Sequence, residues 1–241
     1  MNYLKAEHIK YKRTVSNKLL WIAPLMTTIF AWIVGGFYGF QYMSFYWWYS
    51  FILPGTIAIL CVLSHLKEES AGKYCSVFSL PLDLTKFEIA KSLVMLEKMF
   101  VAACALTLFV SISNLISPAF AVYSIKRSML GSIAIVLTSM WQIPLCTYLT
   151  RKIGTVLPII FNTLLGIFSP FIIGSAKAEW VWPYCWTGKV AEILLGIKNN
   201  GTYEHNDTIS GLIVIPFVLS ILFFVFLAVL DAKKFAKGEV K

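Results

Sequence analysis

The sequence LLWIAPLMTTIFAWIVGGFYGFQYMSFYWWYSFILPGTIAILCVLSHL occupies residues 19–66 and contains no Asp, Glu, Lys or Arg. A transmembrane helix needs about 20 apolar residues to cross about 30 Å of hydrocarbon, so this run is long enough for two crossings. A polar and aromatic stretch near residues 35–49 interrupts the run. The run therefore predicts two membrane-spanning helices, near residues 19–38 and 47–66.

The rest of the chain has the same character. The mean hydropathy is +0.74, and 58% of the residues are hydrophobic while only 14% are charged, whereas soluble proteins carry roughly 25% charged residues. Further charge-free runs predict spans near residues 93–116, 129–149, 154–174 and 209–230. We therefore expect an all-α integral membrane protein with six transmembrane helices, forming a single domain over residues 1–241.

The distribution of Lys and Arg predicts the orientation. Six crossings place both termini on one side, and that side holds all but five of the 21 Lys and Arg residues. The five on the opposite side are Lys126, Arg127, Lys177, Lys189 and Lys198. The positive-inside rule then predicts cytoplasmic termini. The same bias accounts for the net charge of +9, so no nucleic-acid partner is required.

Residues 1–18 predict an amphipathic helix that lies in the membrane interface. Its stripe at helical spacing consists of Leu4, His8, Tyr11 and Val15. Lysines occupy the rest of the helix circumference, where they are expected to lie near lipid phosphates. A solvated tail is the alternative. At the other terminus, the basic stretch 231–241 is interpreted as a solvated stop signal without a specific task.

The stretch HLKEESAGKYCSVFSLPLDLTKFEIAK at residues 65–91 places a charged, helix-like region between the second and third spans. Its apolar face at helical spacing consists of Ala71, Tyr74, Cys75 and Phe78. Glu68, Glu69 and Ser70 are expected to cap the start of this helix, and Leu80-Pro81 is expected to end it. A second helix is predicted from Asp83 or Thr85 onward. The aromatic face should meet the membrane or another protein, or else this chain's own helix ends.

Residues 175–208, here the outer connector, join the fifth and sixth spans. Residues 177–207 hold three Lys against four acids, which gives a net charge of −1 (3 − 4). Aromatic residues crowd its beginning, as in an interfacial aromatic belt. Val190, Ile193, Leu194 and Ile197 share helical spacing and predict a short helix that dips into the outer leaflet. The aromatic residues either anchor the neighbouring helices or contact an amphipathic ligand.

A search for catalytic motifs returns little. The chain has no P-loop and no H-E-x-x-H pattern. Glu68-Glu69 followed by Lys73 resembles the Glu-Glu-x-x-x-Arg signature of intramembrane proteases, but Lys replaces the Arg. Only Glu97 and Lys98 enter a predicted span, whereas ion-coupled transporters usually bury ionisable groups. The energy for any transport is therefore expected to come from another subunit, and a membrane enzyme remains the competing hypothesis.

The runs AEHIKYKRTVSNKLLWIAPL at residues 6–25 and EESAGKYCSVFSLPLDLTKFEIAKSL at residues 68–93 resemble the permease subunits of lantibiotic-immunity ABC transporters (the MutE/EpiE type), within the type-2 ABC permeases. The resemblance extends over the whole chain, including its length and six-span plan. It implies a bacterial cell-membrane protein without its own ATPase site. ATP and Mg would bind in partner ABC ATPase subunits, present in two copies, and a sister or identical permease would complete the pathway.

The resemblance also implies two sets of site residues. The 67–92 region would contain the helix that couples the permease to the ATPase, through Glu68, Glu69, Gly72, Tyr74, Phe78 and Pro81. The cargo would be a cationic antimicrobial peptide, expelled from the membrane to protect the cell. Candidate peptide contacts are Trp180, Trp182, Trp186, Glu179 and Glu192. A type-2 permease for another amphipathic drug or lipid would share every mechanical feature and differ only in its cargo.

Overall fold

The computed structural model describes residues 3–12, 14–72, 74–79, 81–172, 178–205 and 210–238. Within these residues the chain is α-helical, and the single strand-like pairing is an isolated bridge between Ile197 and Tyr203. The helices are α1 (Tyr3–Tyr11), α2 (Val15–Trp47), α3 (Leu53–Ser70), α4 (Cys75–Phe78), α5 (Leu84–Ile116), α6 (Ile125–Ser139), α7 (Gln142–Ile153), α8 (Val156–Ile172), α9 (Ala178–Val181), α10 (Pro183–Leu195) and α11 (Val214–Ala236). The predicted all-α class is confirmed.

Helix α2 reverses direction between Val15 and Trp47. Gly36 has φ 56° and ψ −156°, which is non-helical backbone that favours glycine. The rings of Phe30 and Trp47 lie 4.9 Å apart, whereas 17 residues of straight helix would separate them by about 25 Å. The segment is therefore a helical hairpin, in agreement with the predicted break. A π-helical turn (Trp48–Ile52) then joins α2 to α3.

The hairpin defines two ends of the bundle. Lys10, just before α2, forms an ion pair with Glu68, near the end of α3, so the chain returns to its starting level. Tyr3 packs against a cluster that includes Phe235 near the end of α11, so both described chain ends share this level, here called the terminal end. The opposite end, which holds the bend at Gly36 and the hairpin of Ile197 and Tyr203, is called the connector end.

Several helices have the length and apolarity of membrane spans. Among the described residues, three continuous segments qualify, which are Val15–Ser70, Leu84–Ile116 and Gly211–Ala236. A fourth candidate is the pair Ile125–Ser139 and Gln142–Ile153, whose axes differ by 43°, and Val156–Ile172 is apolar but shorter. The outward faces of these helices carry exposed large apolar side chains. The architecture is consistent with a multi-pass membrane protein.

The bend between α6 and α7 departs from the single helix predicted over residues 129–149. A buried group of hydrogen-bonded polar side chains, centred on Asn162, lies beside this bend. The Asn162 amide donates to the Pro54 carbonyl (2.7 Å) and to Gln142 Oε1 (2.9 Å), and the Tyr184 hydroxyl donates to Asn162 Oδ1 (2.7 Å). Because α10 begins beside this group and ends near the connector end, the outer connector inserts into the bundle.

Candidate functional site

The chain between α3 and α5 passes through a tight turn at the terminal end. Helix α3 continues to Ser70, and Gly72 then takes φ +107° and Tyr74 φ +64°. A single helical turn, Cys75–Phe78, follows. The Asp83 side chain accepts a hydrogen bond from Lys86 N (3.1 Å) and caps α5, which confirms the predicted second helix. The predicted capping by Glu68, Glu69 and Ser70 is wrong, because these residues form the last turn of α3.

Tyr74 anchors this turn to the bundle. Its side chain is 2% exposed, and its hydroxyl is hydrogen-bonded to His65 Nδ1 at 2.8 Å. Its ring packs edge-on against Phe235 with centroids 5.7 Å apart, and burial raises the pKa of its hydroxyl. The aromatic face predicted for the 67–92 region is therefore divided, with Tyr74 turned inward. Phe78 is 40% exposed although its ring also contacts Phe235.

The predicted coupling residues separate into two groups. Glu68 and Tyr74 are buried, and Lys10 pairs with the Glu68 carboxylate. The exposed members are Glu69, Gly72, Phe78 and Pro81. Lys73 and Leu80 lie outside the described residues. The exposed group, together with the exposed thiol of Cys75, forms the free surface of the turn.

Helix α1 packs against the 67–92 region and the beginning of α5. The Tyr3 hydroxyl accepts a hydrogen bond from Asp83 N at 3.2 Å, and His8 Nε2 lies 2.8 Å from Glu97 Oε1. Lys10 also lies 4.7 Å from the centre of the Phe87 ring. Of the predicted interfacial stripe, Leu4 and Val15 are exposed and Tyr11 is buried, while Glu7 outside the stripe is also buried. The helix therefore packs on protein along a face that sequence spacing did not identify.

A cluster of four buried charges lies behind the turn and is here called the charge cluster. Glu88 and Lys91 come from α5, Arg151 from α7 and Asp231 from α11, and each is less than 5% exposed. The Arg151 guanidinium donates to the carboxylates of both Glu88 and Asp231. One cation thus joins three helices at the terminal end.

Sequence reasoning missed the charge cluster. The charge-free runs end one residue before Arg151 and Asp231, so both residues were assigned to solvated ends. The interpretation of residues 231–241 as a solvated stop signal is wrong for its described part, because α11 continues to Ala236 and buries Asp231 and Phe235. Helix α5 also begins before the predicted span near residues 93–116 and carries Glu88 and Lys91, which are buried although they lie outside that predicted span.

The outer connector places its predicted peptide contacts unevenly. Trp186 is buried against Trp141 and Phe223, and its Nε1 donates to the Trp180 carbonyl at 2.9 Å. Trp182 is 36% exposed, and Trp180 is half-buried. The described helix, Pro183–Leu195, is longer than predicted and buries residues on more than one face. Residues 175–177 and 206–208 lie outside the described part of the chain.

The three described carboxylates of the outer connector are paired with lysines of the same connector. Lys189 Nζ lies 3.2 Å from Glu179 Oε2 and 3.0 Å from Glu192 Oε2. Lys198 pairs with Glu204 at 2.6 Å in the hairpin that follows α10. These contacts offset the negative charge expected to attract a cationic peptide. Electrostatic attraction by Glu179 and Glu192 is therefore weaker than their number suggests.

An aromatic groove opens at the connector end, between the bend of α2 and the end of α5. Its volume is about 170 Å³. Its walls are apolar apart from two hydroxyls, and it is lined by Trp32, Phe37, Phe40, Phe109, Ile112, Ser113, Ile116, Ser117 and Phe120. An apolar cavity of about 150 Å³ is large enough for benzene. The groove therefore has room for one ring-sized apolar group.

Metal ligation has no candidate in the part of the chain that the structure describes, where no three His, Cys, Asp or Glu side chains converge suitably. No protein family, no curated protein and no solved structure matches the chain.

Proposed function

We propose that this chain is the membrane-spanning permease subunit of an ATP-driven exporter in a bacterial cell membrane. Its cargo would be cationic antimicrobial peptides of the lantibiotic class, whose expulsion protects the cell. The terminal end would face the cytoplasm, with both termini, and the connector end would face outward. The sequence resemblance and the distribution of Lys and Arg support this orientation.

The proposed six crossings count the two arms of the first hairpin, Val15–Ser70, as separate crossings. The bend at Gly36 divides Val15–Ser70 into an ascending and a returning arm. The bent pair Ile125–Ser139 and Gln142–Ile153 would make one crossing, as would the shorter Val156–Ile172. With Leu84–Ile116 and Gly211–Ala236, the proposed number is six.

The observation that carries the proposal is the turn between α3 and α5. It presents Phe78, Gly72, Cys75 and Pro81 outward, while Tyr74 ties it to the bundle. An exposed aromatic ring on a rigidly mounted turn suits insertion into a groove of another protein. ATP-binding subunits would dock there in two copies, and a second permease would lie alongside in the bilayer.

A permease for another amphipathic drug or lipid is the second candidate, and the aromatic groove favours it. The groove has no charged lining residue, and Lys189 pairs with both carboxylates expected to attract a cationic peptide. An uncharged apolar ring or chain would fit this surface without an ion pair. The motor and its docking turn would be the same for either cargo.

Co-purification tests the proposal. The tagged chain, expressed from its native locus, should bring down a subunit with a P-loop, whereas the chain purified alone should hydrolyse no ATP. Phe78→Asp should abolish the association, because it places a charge at the exposed ring. The matched control Phe120→Asp changes a ring that is 36% exposed at the connector end, outside the proposed spans; it introduces the same charge without touching the turn. Association that survives Phe78→Asp would contradict docking at this surface.

Protection assays then separate the two cargoes. Cells that carry the wild-type chain and its ATPase should tolerate a cationic lantibiotic better than cells that carry an ATPase-inactive pair. Protection against uncharged amphipathic drugs, without protection against the peptide, would instead support the second candidate.

A further inference from the structure

We infer that Phe235 and Arg151 form a latch that holds the turn between α3 and α5 in place by tying it to the ends of three helices. The latch is a property of the chain itself. Its use as a relay for force from a motor subunit rests on the proposed function.

Phe235 is the central piece of the latch. It is fully buried, and three aromatic rings surround it. The ring centroids of Tyr74, Phe78 and Phe87 lie 5.7, 5.3 and 6.0 Å from its own. Two of these rings belong to the turn and one to α5, so a single side chain of α11 contacts both elements. A displacement of the turn must therefore move Phe235 or break its ring contacts.

Arg151 fixes Phe235 from the other side. Its guanidinium carbon lies 5.0 Å from the centre of the Phe235 ring, within the range of a cation–π contact. The same guanidinium binds Glu88 of α5 and Asp231 of α11. Arg151 thereby connects the aromatic cluster to the charge cluster, and it sets the distance between α5, α7 and α11.

The charge cluster is balanced but incompletely hydrogen-bonded. Two cations, Arg151 and Lys91, face two carboxylates, Glu88 and Asp231. Within the described residues, Glu88 Oε2, Asp231 Oδ2 and Lys91 Nζ make no hydrogen bond. Buried polar groups normally have partners. The cluster therefore depends on the pairing of its four charges, and the loss of one charge leaves the others uncompensated.

Tyr74 shows that the turn is held under constraint. It has φ +64°, and it is the one non-glycine residue among the described residues with positive φ. This conformation costs an aromatic residue free energy and persists only where the surroundings enforce it. The surroundings here are Phe235, His65 and the Lys91 ammonium, which lies 5.7 Å from the centre of the Tyr74 ring. Weakening the latch should therefore let the turn relax.

Thiol labelling of the purified chain tests the latch. Val77 is 7% exposed and packs in the cluster under the turn, so Val77→Cys reports when the turn lifts. The background carries Cys75→Ser and Cys104→Ser, which remove the exposed thiols. Cys185, fully buried at the start of α10 and packed against α8, reports global unfolding in the same molecule. Labelling of each thiol by a charged maleimide is followed by mass spectrometry.

Arg151→Met should accelerate labelling at position 77 on the order of tenfold or more beyond any acceleration at Cys185, which reports the loss of global stability. Phe235→Leu, which keeps an apolar side chain but removes the ring, should do the same. Lys233→Met is the matched control, since it removes an exposed charge from the same helix. Slow labelling at position 77 in both latch variants would overturn the inference.

A variant in which all four charges are neutralised controls for misfolding caused by a buried unpaired charge. The combined substitutions Glu88→Gln, Lys91→Met, Arg151→Met and Asp231→Asn leave no buried unpaired charge, and such replacements often preserve folding. Position 77 should still label quickly, because the cation on Phe235 is gone. Equal acceleration at Cys185 in every variant would mean general unfolding and would overturn the latch.

The proposed role of the latch in transmitting force from a motor subunit is tested by a separate measurement. Arg151→Met should still bring down the ATPase through the exposed surface of the turn, yet lose protection of cells. Failure of the wild-type chain to bring down any ATPase would overturn the proposed function, whereas the labelling result would still decide whether the latch exists.

Discussion

The two ends of the bundle are held together by different chemistry. At the terminal end, Arg151 and Lys10 bind carboxylates from distant parts of the chain. At the connector end, Gln41 Oε1 accepts from Val122 N and Tyr123 N at 2.8 and 2.7 Å, and the Tyr123 hydroxyl donates to the Leu195 carbonyl at 2.7 Å. These bonds between elements of the connector end join neutral groups, whereas the Lys198–Glu204 ion pair of that end is local to one hairpin.

This difference predicts different mechanical behaviour. Removing one member of a buried charge group leaves its partners uncompensated, so the loss is large. A neutral hydrogen bond contributes about 1 kcal/mol, and losses at separate sites add. The terminal end should therefore change state as a unit, whereas the connector end should weaken gradually. A unit that changes state together is what a relay from a docking surface requires.

Arg151→Met should have the largest effect on stability. It leaves the Glu88 and Asp231 carboxylates buried without their shared cation, and the free energy of unfolding should fall by about 3–5 kcal/mol. Unfolding by denaturant in detergent micelles measures this change. Lys233→Met should stay within about 0.5 kcal/mol. A loss below about 1 kcal/mol for Arg151→Met would mean that the charge cluster does not hold the terminal end.

Gly196→Ala tests the largest steric constraint at the connector end. Gly196 ends α10 with φ +70°, and an added Cβ would lie 2.1 Å from the Glu204 carbonyl oxygen. The clash and the backbone strain together should cost about 2–3 kcal/mol. Gly72→Ala is the matched control, because Gly72 also has positive φ but nothing within 4 Å of the added Cβ.

The same unfolding assay compares the two glycines. Gly72→Ala should lose only strain, about 1 kcal/mol. Equal losses in the free energy of unfolding at the two positions would show that the Ile197–Tyr203 hairpin shifts to accommodate the added methyl group, and that packing at the connector end does not constrain Gly196.

Tyr123→Phe should have a smaller effect, about 1 kcal/mol. It removes the hydroxyl that donates to the Leu195 carbonyl but keeps the ring. Tyr148→Phe is the matched change at the terminal end, where the hydroxyl accepts from Lys234 at 3.0 Å in a part-buried position. That variant should lose less. A loss above about 3 kcal/mol for Tyr123→Phe would argue that one neutral bond holds the whole connector end.

The pH dependence of α1 should be the smallest effect. The hydrogen bond with Glu97 raises the pKa of His8 above its ordinary 6.5. A raised pKa means that the folded chain holds the proton more tightly, so the stabilisation is complete below pH 6.5 and is lost as the pH rises through the folded value. The His8–Glu97 pair is exposed, so only the docking of α1 should respond.

Amide hydrogen exchange across α1, corrected for intrinsic rates, measures this response. Protection should be greater at about pH 6 than at about pH 8.5, and His8→Gln should remove the difference. Greater protection at the higher pH would contradict the assigned pair.

Much of the fold could be predicted because apolar run length is a strong physical signal. Leu84–Ile116 and Val156–Ile172 overlap their predicted spans, and Asp83 caps α5 as expected. The bend between Ser139 and Gln142 has a sequence signal in Pro144, which lies in the first turn of α7 and whose ring and missing N–H prevent a continuous helix through Met140. The polar group around Asn162, which contacts Gln142 beside the bend, could not be predicted because it depends on tertiary contacts.

The candidate site was predicted less completely. The turn was located, and Tyr74 packs on this chain's own helix ends, one of the alternatives left open for the aromatic face. The start of the short helix was predicted too early, over residues that belong to α3. Arg151 and Asp231 looked solvated because they stand directly after charge-free runs. Only the convergence of three helices shows that Arg151 pairs with both Glu88 and Asp231, and sequence separation hides that convergence.

Crosslinking from Cys75 tests the central claim most directly. This exposed thiol lies on the turn itself, and in a Cys104→Ser background it can carry a benzophenone in living cells. We predict that irradiation joins the chain to a protein with a P-loop, and that ATP turnover changes the yield. Crosslinks to lipid alone, under conditions in which the chain protects the cell, would contradict docking at this turn and the relay with it.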